Sequence, residues 1–218
     1  MPIISTTKGW KISEGAKGVI IATVDTGADM EHPDLKSRLL SGYNAFNSKK
    51  TPMDDVGHGT HVAGIIASVV NNRVGVAGMT WNNPVMPVKS LDEKGSCSTY
   101  SVAKGIIWAA DHGAKVINLS LGNYVNSQFM HDAIKYAYDK DVVLIAASGN
   151  DDTDQLSYPA AYPEVLAVAA TDENKRKASF SNYGTYIDVS APGVNIASTF
   201  TENRYAALSG TSMASPHV

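Results

Sequence analysis

Three residues that lie far apart in the chain carry the functional groups of a nucleophilic hydrolase. Asp25 follows a β-branched run, His58 lies in a glycine-rich segment, and Ser212 follows Gly-Thr and precedes small residues and a proline. A serine hydroxyl is a weak nucleophile unless a base, itself oriented by a third group, takes its proton. Asp, His and Ser is one of three chain orders in which such a triad occurs. The pattern predicts that Ser212 attacks, His58 transfers the proton and Asp25 fixes the tautomer of His58.

Each of these residues also has an ordinary structural interpretation. Ser212 would serve as an N-cap, Asp25 as a turn former at a strand end, and His58 as a polar loop residue. His58 and His61 raise the alternative of a metal hydrolase, but a zincin helix spaces its histidines four residues apart with a glutamate between them. A chain that keeps the pattern and only binds peptides is the non-enzymatic alternative. The joint occurrence of the three segments favours the triad.

The elements that must position these residues alternate between strands and helices. Continuous apolar runs predict strands buried on both faces, as in a parallel sheet, over 19–24, 85–88, 116–121, 142–147, 165–169 and 187–191. Apolar positions at helical spacing predict helices over 60–70, 98–110 and 128–138. The alternation predicts an α/β fold whose mainly parallel sheet is covered by helices and binds ligands at the carboxyl ends of its strands. Asp25 and the segment 148–150 both follow such strand ends.

Length and composition suit one soluble domain and exclude several classes of protein. The chain has 218 residues, 44% of them apolar and 18% charged. Its net charge of −3 argues against nucleic acid or an anionic membrane as a partner. No apolar run approaches the ~18 residues of a membrane span, and the start of the chain lacks a signal-peptide pattern. The single cysteine, Cys97, excludes an internal disulfide.

Three motifs together resemble the subtilase family of serine proteases, most of all its thermitase and subtilisin branch. They are Val-Asp-Thr-Gly at 24–27, His-Gly-Thr-His-Val-Ala-Gly at 58–64 and Gly-Thr-Ser-Met-Ala-Ser-Pro at 210–216. The resemblance covers nearly the whole chain and implies a three-layer αβα, subtilisin-like fold. It further implies a secreted, monomeric serine endopeptidase that cleaves proteins or peptides and has a propeptide or inhibitor in its precursor. By the same resemblance, His61 and His217 are structural residues.

The resemblance also leads to an expectation about the ends of the chain. Residues 1–218 are expected to form one peptidase domain that is incomplete at both ends and truncated at the C-terminus. In the family a long helix continues after the nucleophile, whereas a helix that starts near Ser212 has fewer than two turns here. We therefore expect apolar strand faces near Val24 and Val116 to be left uncovered.

The resemblance assigns an oxyanion hole and a substrate cleft. Asn150 would donate to the tetrahedral oxyanion together with the backbone N–H of Ser212, although an asparagine here could also cap a turn. An extended peptide would pair with chain edges. The residues implied to flank the peptide are Gly95, Ser96, Cys97, Ser120, Leu121 and Gly122. Those implied to form the pocket for the residue before the cut are Leu121, Ala147, Ser148 and Gly149. Such an open apolar pocket predicts a preference for large apolar residues.

Three carboxylates follow the proposed oxyanion residue. Asp151, Asp152 and Asp154 indicate either a solvated loop or a negative rim on the pocket that would also accept Lys or Arg before the cut. The peptide bond between Tyr158 and Pro159 comes next, and relatives have a cis bond at this position.

Calcium is the cofactor that the resemblance implies. Residues 70–76 resemble the family's calcium loop, which supplies backbone carbonyls and one Asn amide oxygen, and the carboxylate of Asp34 completes the set. The implied ligands are Asp34, Val70, Asn72, Val74 and Val76. Oxygen ligands of this kind suit calcium.

Overall fold

A computed structural model describes residues 2–218 and has one parallel β-sheet at its centre. Seven strands pair in the order β2-β3-β1-β4-β5-β6-β7, and every neighbouring pair is parallel. These strands are β1 (Ile20–Asp25), β2 (Tyr43–Asn44), β3 (Val85–Lys89), β4 (Ala114–Leu119), β5 (Val143–Ala147), β6 (Val165–Thr171) and β7 (Val189–Pro192). Two further strands, β8 (Ile196–Phe200) and β9 (Arg204–Leu208), form a separate antiparallel hairpin.

Helices cover both faces of the sheet, which confirms the predicted three-layer α/β architecture. The helices are α1 (Thr6–Gly9), α2 (His58–Ala67), α3 (Thr99–Asp111), α4 (Gln128–Tyr138) and α5 (Thr211–Ala214), with 3₁₀ turns at Pro2–Ile4 and Ser215–His217. On one face, Ile106 of α3 and Ile134 of α4 are fully buried in the larger core cluster. On the other face, α2 and α5 bury Val62, Ile66 and Met213. Within residues 2–218, no helix combines the length and apolar character that crossing a membrane requires.

The strand order places a topological switch point beside β1. From β1 the chain adds β3 and β2 on one side, and β4 to β7 on the other. Ligands of open parallel sheets bind where the order reverses, outside the carboxyl ends of the strands. Asp25 ends β1, and Ser120 directly follows the end of the neighbouring strand β4. The fold therefore brings Asp25 and the predicted peptide-binding segment 120–122 to the carboxyl ends of neighbouring strands, where parallel sheets bind ligands.

Several element boundaries differ from the predicted ones. The helix predicted over 60–70 begins at His58, because Gly57 adopts a left-handed conformation with φ 104° just before it. It ends at Ala67, since Ser68 turns to an extended conformation with ψ 139°. The strand predicted over 116–121 ends at Leu119, where Ser120 leaves the sheet to bond with Ser212. The β8–β9 hairpin and the short strand β2 were not predicted at all.

The expectation that the strand faces near Val24 and Val116 lie uncovered is wrong for Val24. Val24 is 0% exposed in the larger core cluster. A Cβ on Gly105 of α3 would come within 3.3 Å of Val24 Cγ1, so the missing side chain lets α3 lie directly on β1. Val116 is half-buried and packs against a cluster that includes Ala214.

Candidate active site

Asp25 and His58 form a directly hydrogen-bonded pair at the end of β1. His58 Nδ1 lies 2.7 Å from Asp25 Oδ1, and the carboxylate is buried while the imidazole side chain is 28% exposed. The N–H of Thr26 donates to the same Oδ1 atom at 2.7 Å. Asp25 Oδ2 is buried and, within residues 2–218, has no hydrogen-bond partner. A buried carboxylate with so little solvation interacts strongly with a nearby cationic group, so it favours the imidazolium form of His58.

The start of α2 fixes the position of His58. The carboxylate of Asp54 accepts hydrogen bonds from the N–H groups of Val56, Gly57 and Thr60 and from the hydroxyl of Thr60. These bonds hold the backbone on both sides of His58, and the one from Thr60 satisfies a donor that the first helical turn would leave unpaired. Sequence analysis missed Asp54. A carboxylate four residues before His58, next to a glycine-rich helix start, was the available signal.

The pKa of His58 is raised above its ordinary value. Burial alone lowers this pKa, but the charge of Asp25, the hydrogen bond to Asp25 and the more distant charge of Asp54 together outweigh burial. The pair therefore makes His58 a stronger base than an isolated buried histidine. A base of this kind suits proton abstraction from a hydroxyl.

Ser212 lies in the first turn of α5, as predicted, and is bonded to the end of β4. Its Oγ donates to the carbonyl of Ser120 at 3.1 Å, and the Ser120 hydroxyl donates to the Ser212 carbonyl at 2.8 Å. Within residues 2–218, the hydroxyl of Ser212 forms no hydrogen bond with His58 in this arrangement. The reciprocal bonds hold the nucleophile's backbone against the strand next to β1.

Asn150 follows β5 and faces the same pocket as Ser212. Its Oδ1 accepts from the N–H of Thr211 at 2.8 Å and from the Thr211 hydroxyl at 3.0 Å. This pairing fixes the amide plane, and within residues 2–218 Nδ2 has no protein partner. A Cβ built on Gly210 would lie 3.7 Å from both Asn150 Oδ1 and Ser212 N. The side chain of Asn150 and the backbone N–H of Ser212 therefore lie close to each other across Gly210.

A pocket of about 300 Å³ joins these residues to most of the predicted substrate site. Its lining consists of Leu121, Gly122, Asn123, Tyr124, Ala147, Gly149, Asn150, Asp151, Ser157, Thr211 and Ser212. Ser148 is not part of the lining, contrary to the prediction. It is fully buried, and its carbonyl accepts hydrogen bonds from Asn182 and Tyr186 behind the pocket.

The two segments predicted to flank a peptide meet beside this pocket. Cys97, Leu121 and Gly122 line a smaller depression of about 70 Å³, and Gly95 and Ser96 are exposed on the same loop as Cys97. The protein around the Cys97 thiol, with the charges of Asp25 and Asp92, raises the pKa of the thiol above its ordinary value. Cys97 therefore stays protonated at neutral pH.

The predicted acidic rim reduces to one carboxylate at the pocket. Asp151 lines the pocket and accepts a hydrogen bond from the hydroxyl of Tyr124. Asp152 forms an ion pair with Lys177 at 2.5 Å, so its charge is already compensated. Asp154 is exposed outside the pocket lining. The Tyr158–Pro159 bond is cis, as predicted.

The other histidines do not assemble a metal site with His58. His61 is fully buried, and its Nε2 contacts the carbonyl of Ala206 at 3.1 Å. His217 Nδ1 contacts the carbonyl of Met213, and burial lowers the pKa of His217 to about 4. Among residues 2–218, no three His, Cys, Asp or Glu side chains lie close enough together to hold a metal ion.

The predicted calcium-loop residues surround Asp34. The carboxylate is 0% exposed, and it accepts from Asn72 Nδ2 at 2.6 Å and from the Val76 N–H at 3.0 Å. Every second residue from Asn71 to Gly75 has a left-handed backbone conformation, with φ 62° at Asn71, 63° at Arg73 and 53° at Gly75. Within residues 2–218, no cationic side chain pairs with Asp34.

Comparisons with known proteins found a family model and several relatives that match this chain. The model of the Subtilase family matches residues 16–218. The chain is 49% identical over 213 residues to the Thermophilic serine proteinase of Bacillus sp. (strain AK1), covering 98% of this chain and 53% of that protein. It is 47% identical over 215 residues to Thermitase of Thermoactinomyces vulgaris, covering 99% and 77% respectively. Identity to Subtilisin Savinase of Lederbergia lenta is 45% over 201 residues, covering 92% and 73%. The chain thus spans about half the length of the first relative.

Proposed function

The chain belongs to the subtilase family, and we propose that it is a serine endopeptidase whose triad consists of Asp25, His58 and Ser212. The observation that carries the proposal is the 2.7 Å hydrogen bond between Asp25 and His58 at the carboxyl end of β1. Ser212 is bonded to Ser120 at the carboxyl end of the neighbouring strand β4. The names of the relatives support the same class of reaction.

The proposed mechanism uses the pair as a base. The Ser212 hydroxyl turns from the Ser120 carbonyl toward His58 Nε2 and attacks the peptide carbonyl carbon, while His58 takes its proton. Asp25 keeps the proton on Nδ1, so Nε2 is the free acceptor, and its charge stabilises the imidazolium. His58 then protonates the leaving amine, and water repeats the sequence on the acyl-enzyme.

Two donors stabilise the oxyanion in this proposal. The Asn150 side chain and the Ser212 N–H both lie close to Gly210, and Thr211 holds the Asn150 amide by its oxygen. Donors that are fixed before the reaction need no reorganisation when charge develops on the substrate oxygen.

We propose that the peptide lies extended between the loop 95–97 and the segment 120–122. The residue before the cut enters the pocket lined by Leu121, Ala147 and Gly149, which favours large apolar side chains. Asp151 at the rim supports additional acceptance of Lys or Arg. As the family resemblance implies, we also propose that the protein acts outside the cell.

Calcium fits the residues around Asp34. A buried carboxylate that only neutral donors contact is costly, and a hard divalent cation would relieve that cost. Asp34, Asn72 and the carbonyls of Val70, Val74 and Val76 would hold the ion. The bound ion would stabilise the fold and take no part in the reaction.

The test is reaction with an organofluorophosphonate, followed by mapping of the modified residue. We expect one label on Ser212 that blocks hydrolysis of a chromogenic peptide and forms equally well with a chelator present. Chelator-sensitive hydrolysis without labelling would support the metal-hydrolase alternative. Binding of the peptide without turnover or labelling would support the non-enzymatic alternative. Ser212→Ala and His58→Ala should each remove several orders of magnitude of activity, and their double variant little more, because the residues act as a unit.

A further inference from the structure

Lys89 is a buried lysine at the end of β3, directly beside the strand end that carries Asp25. The other four residues of β3 are buried too, and Lys89 itself is only 6% exposed. In the pairing of β1 with β3, Lys89 is the Cα partner of Asp25. A buried ammonium group is unfavourable unless it forms good hydrogen bonds or ion pairs. The contacts that Lys89 forms therefore indicate its role.

The ammonium group connects the two segments that carry the acid and the base of the triad. Lys89 Nζ donates to the carbonyl of Thr26 at 2.9 Å and lies 3.0 Å from Asp55 Oδ2. Thr26 directly follows Asp25, whereas Asp55 belongs to the loop that leads into His58. One side chain thus bridges the end of β1 and the entry to α2.

Thr26 transmits this contact to the catalytic carboxylate. Its N–H donates to Asp25 Oδ1 at 2.7 Å, and its Oγ1 accepts from the N–H of Gly59 at 2.8 Å. The bond from Lys89 fixes its third polar group, the carbonyl. Because all three groups form hydrogen bonds, the orientation of the Thr26 peptide is fixed. Its N–H therefore holds Asp25 Oδ1, the oxygen that His58 also contacts, in a fixed position.

Resting on the proposed protease function, we propose that Lys89 is a positioning residue for the triad: it clamps the Thr26 peptide and the Asp55 loop so that Asp25 and His58 stay aligned. An apolar side chain of similar length would fill the same space but could hold neither segment. Small losses of alignment cost an enzyme rate without weakening substrate binding, because reacting groups must be held within tenths of an ångström.

The experiment compares Lys89→Met and Lys89→Arg with the unmodified protein. The kcat per active site, counted by organofluorophosphonate titration, is measured on a chromogenic peptide, so unfolded molecules do not contribute. We expect Lys89→Met to lower kcat by about 10–100-fold with KM within about twofold, and Lys89→Arg to restore most of the loss. The low-field proton NMR signal of the His58 Nδ1–H should weaken or shift in Lys89→Met and be retained in Lys89→Arg.

Lys140→Met is the matched control, since Lys140 also pairs with an aspartate, Asp111, but lies before the amino end of β5, whereas the proposed triad lies at the carboxyl ends of the strands. Its kcat should be unchanged. If Lys89→Met gives no titratable protein, Lys89→Gln takes its place and should show a smaller fall in kcat. An unchanged kcat per titrated site in the tested variant, or a rise in KM alone, would overturn the proposal. Failure of the unmodified protein to react with the phosphonate would instead refute the protease function itself.

Discussion

The amide of Asn150 provides the sharpest quantitative test of the site. Asn150→Ala removes Nδ2, a donor that would bond to the oxyanion mainly in the transition state. Removal of one such donor lowers kcat by about 10²–10³, which corresponds to about 2.7–4 kcal/mol of transition-state stabilisation. We expect a loss in this range with KM little changed, because the ground-state carbonyl interacts with the donor only weakly.

The surroundings of Asn150 determine how the experiment must be designed. Thr211 is 0% exposed, and its N–H donates to Asn150 Oδ1. Truncation to alanine leaves that donor unpaired, which costs roughly 1–3 kcal/mol of folding stability. Asn150→Asp keeps an acceptor for Thr211 but replaces the Nδ2 donor with a negatively charged oxygen. Its kcat should therefore fall below that of Asn150→Ala, although its backbone contacts are better preserved.

The assay is steady-state hydrolysis of a chromogenic peptide, with kcat expressed per active site titrated by the phosphonate. Asn174→Ala, which truncates an exposed asparagine after β6, serves as the matched control and should keep its kcat. The reasoning is refuted if Asn150→Ala raises KM with kcat unchanged, or if Asn150→Asp is as active as the unmodified protein. Either result would mean that Nδ2 does not face the developing charge.

Three further outcomes follow from the charges at and near the site. Because Asp25 raises the pKa of His58, the acid limb of the kcat/KM profile should lie at a pH above the ordinary histidine pKa of about 6.5. In Asp25→Asn this limb should move to lower pH and the rate should fall strongly, which pH–rate profiles of both proteins would measure. Asp151→Asn should lower kcat/KM for Lys substrates severalfold at low salt and leave kcat/KM for Phe substrates unchanged. Asp152→Asn should change neither value, because Asp152 is already paired with Lys177. Equal losses on both substrates in Asp151→Asn would argue against the acidic rim. If calcium is present at about 100 times its Kd, chelation should lower the melting temperature by roughly 5–10 °C. Asp34→Asn should abolish that difference. A thermal scan of the unmodified protein that is the same with and without chelator would disprove the calcium site.

The parts of the fold that could be predicted from the sequence depend on local pattern. The runs at 85–88 and 142–147 indicated buried parallel strands because apolar residues without alternation suit a sheet covered on both faces. β2 was not predicted because it has only two residues, and the β8–β9 hairpin was not predicted because the burial of its residues follows no regular pattern. Ile196 is half-buried and Ala197 exposed, so no period-two pattern marks β8. Its position on α2 depends on hydrogen bonds from Ser198 and Thr199 to α2 carbonyls, which no local pattern indicates.

The same division applies to the site and explains why the residues that hold the reacting groups in place were not recognised in that role. Asp25, His58, Asn150 and Ser212 each stand in a distinctive local motif, because a reacting group needs a glycine or a strand end beside it to be accessible. The groups that hold them act across the chain. Ser120 touches Ser212 from 92 residues away, and Lys89 reaches Thr26 from 63 residues away. A serine at a strand end or a lysine after an apolar run belongs to no distinctive sequence motif. Its role depends on the partner with which the fold brings it into contact. Residues that orient a reactive group are therefore found by following hydrogen bonds outward from that group, and here the path from His58 through Asp25 and Thr26 ends at a buried cation.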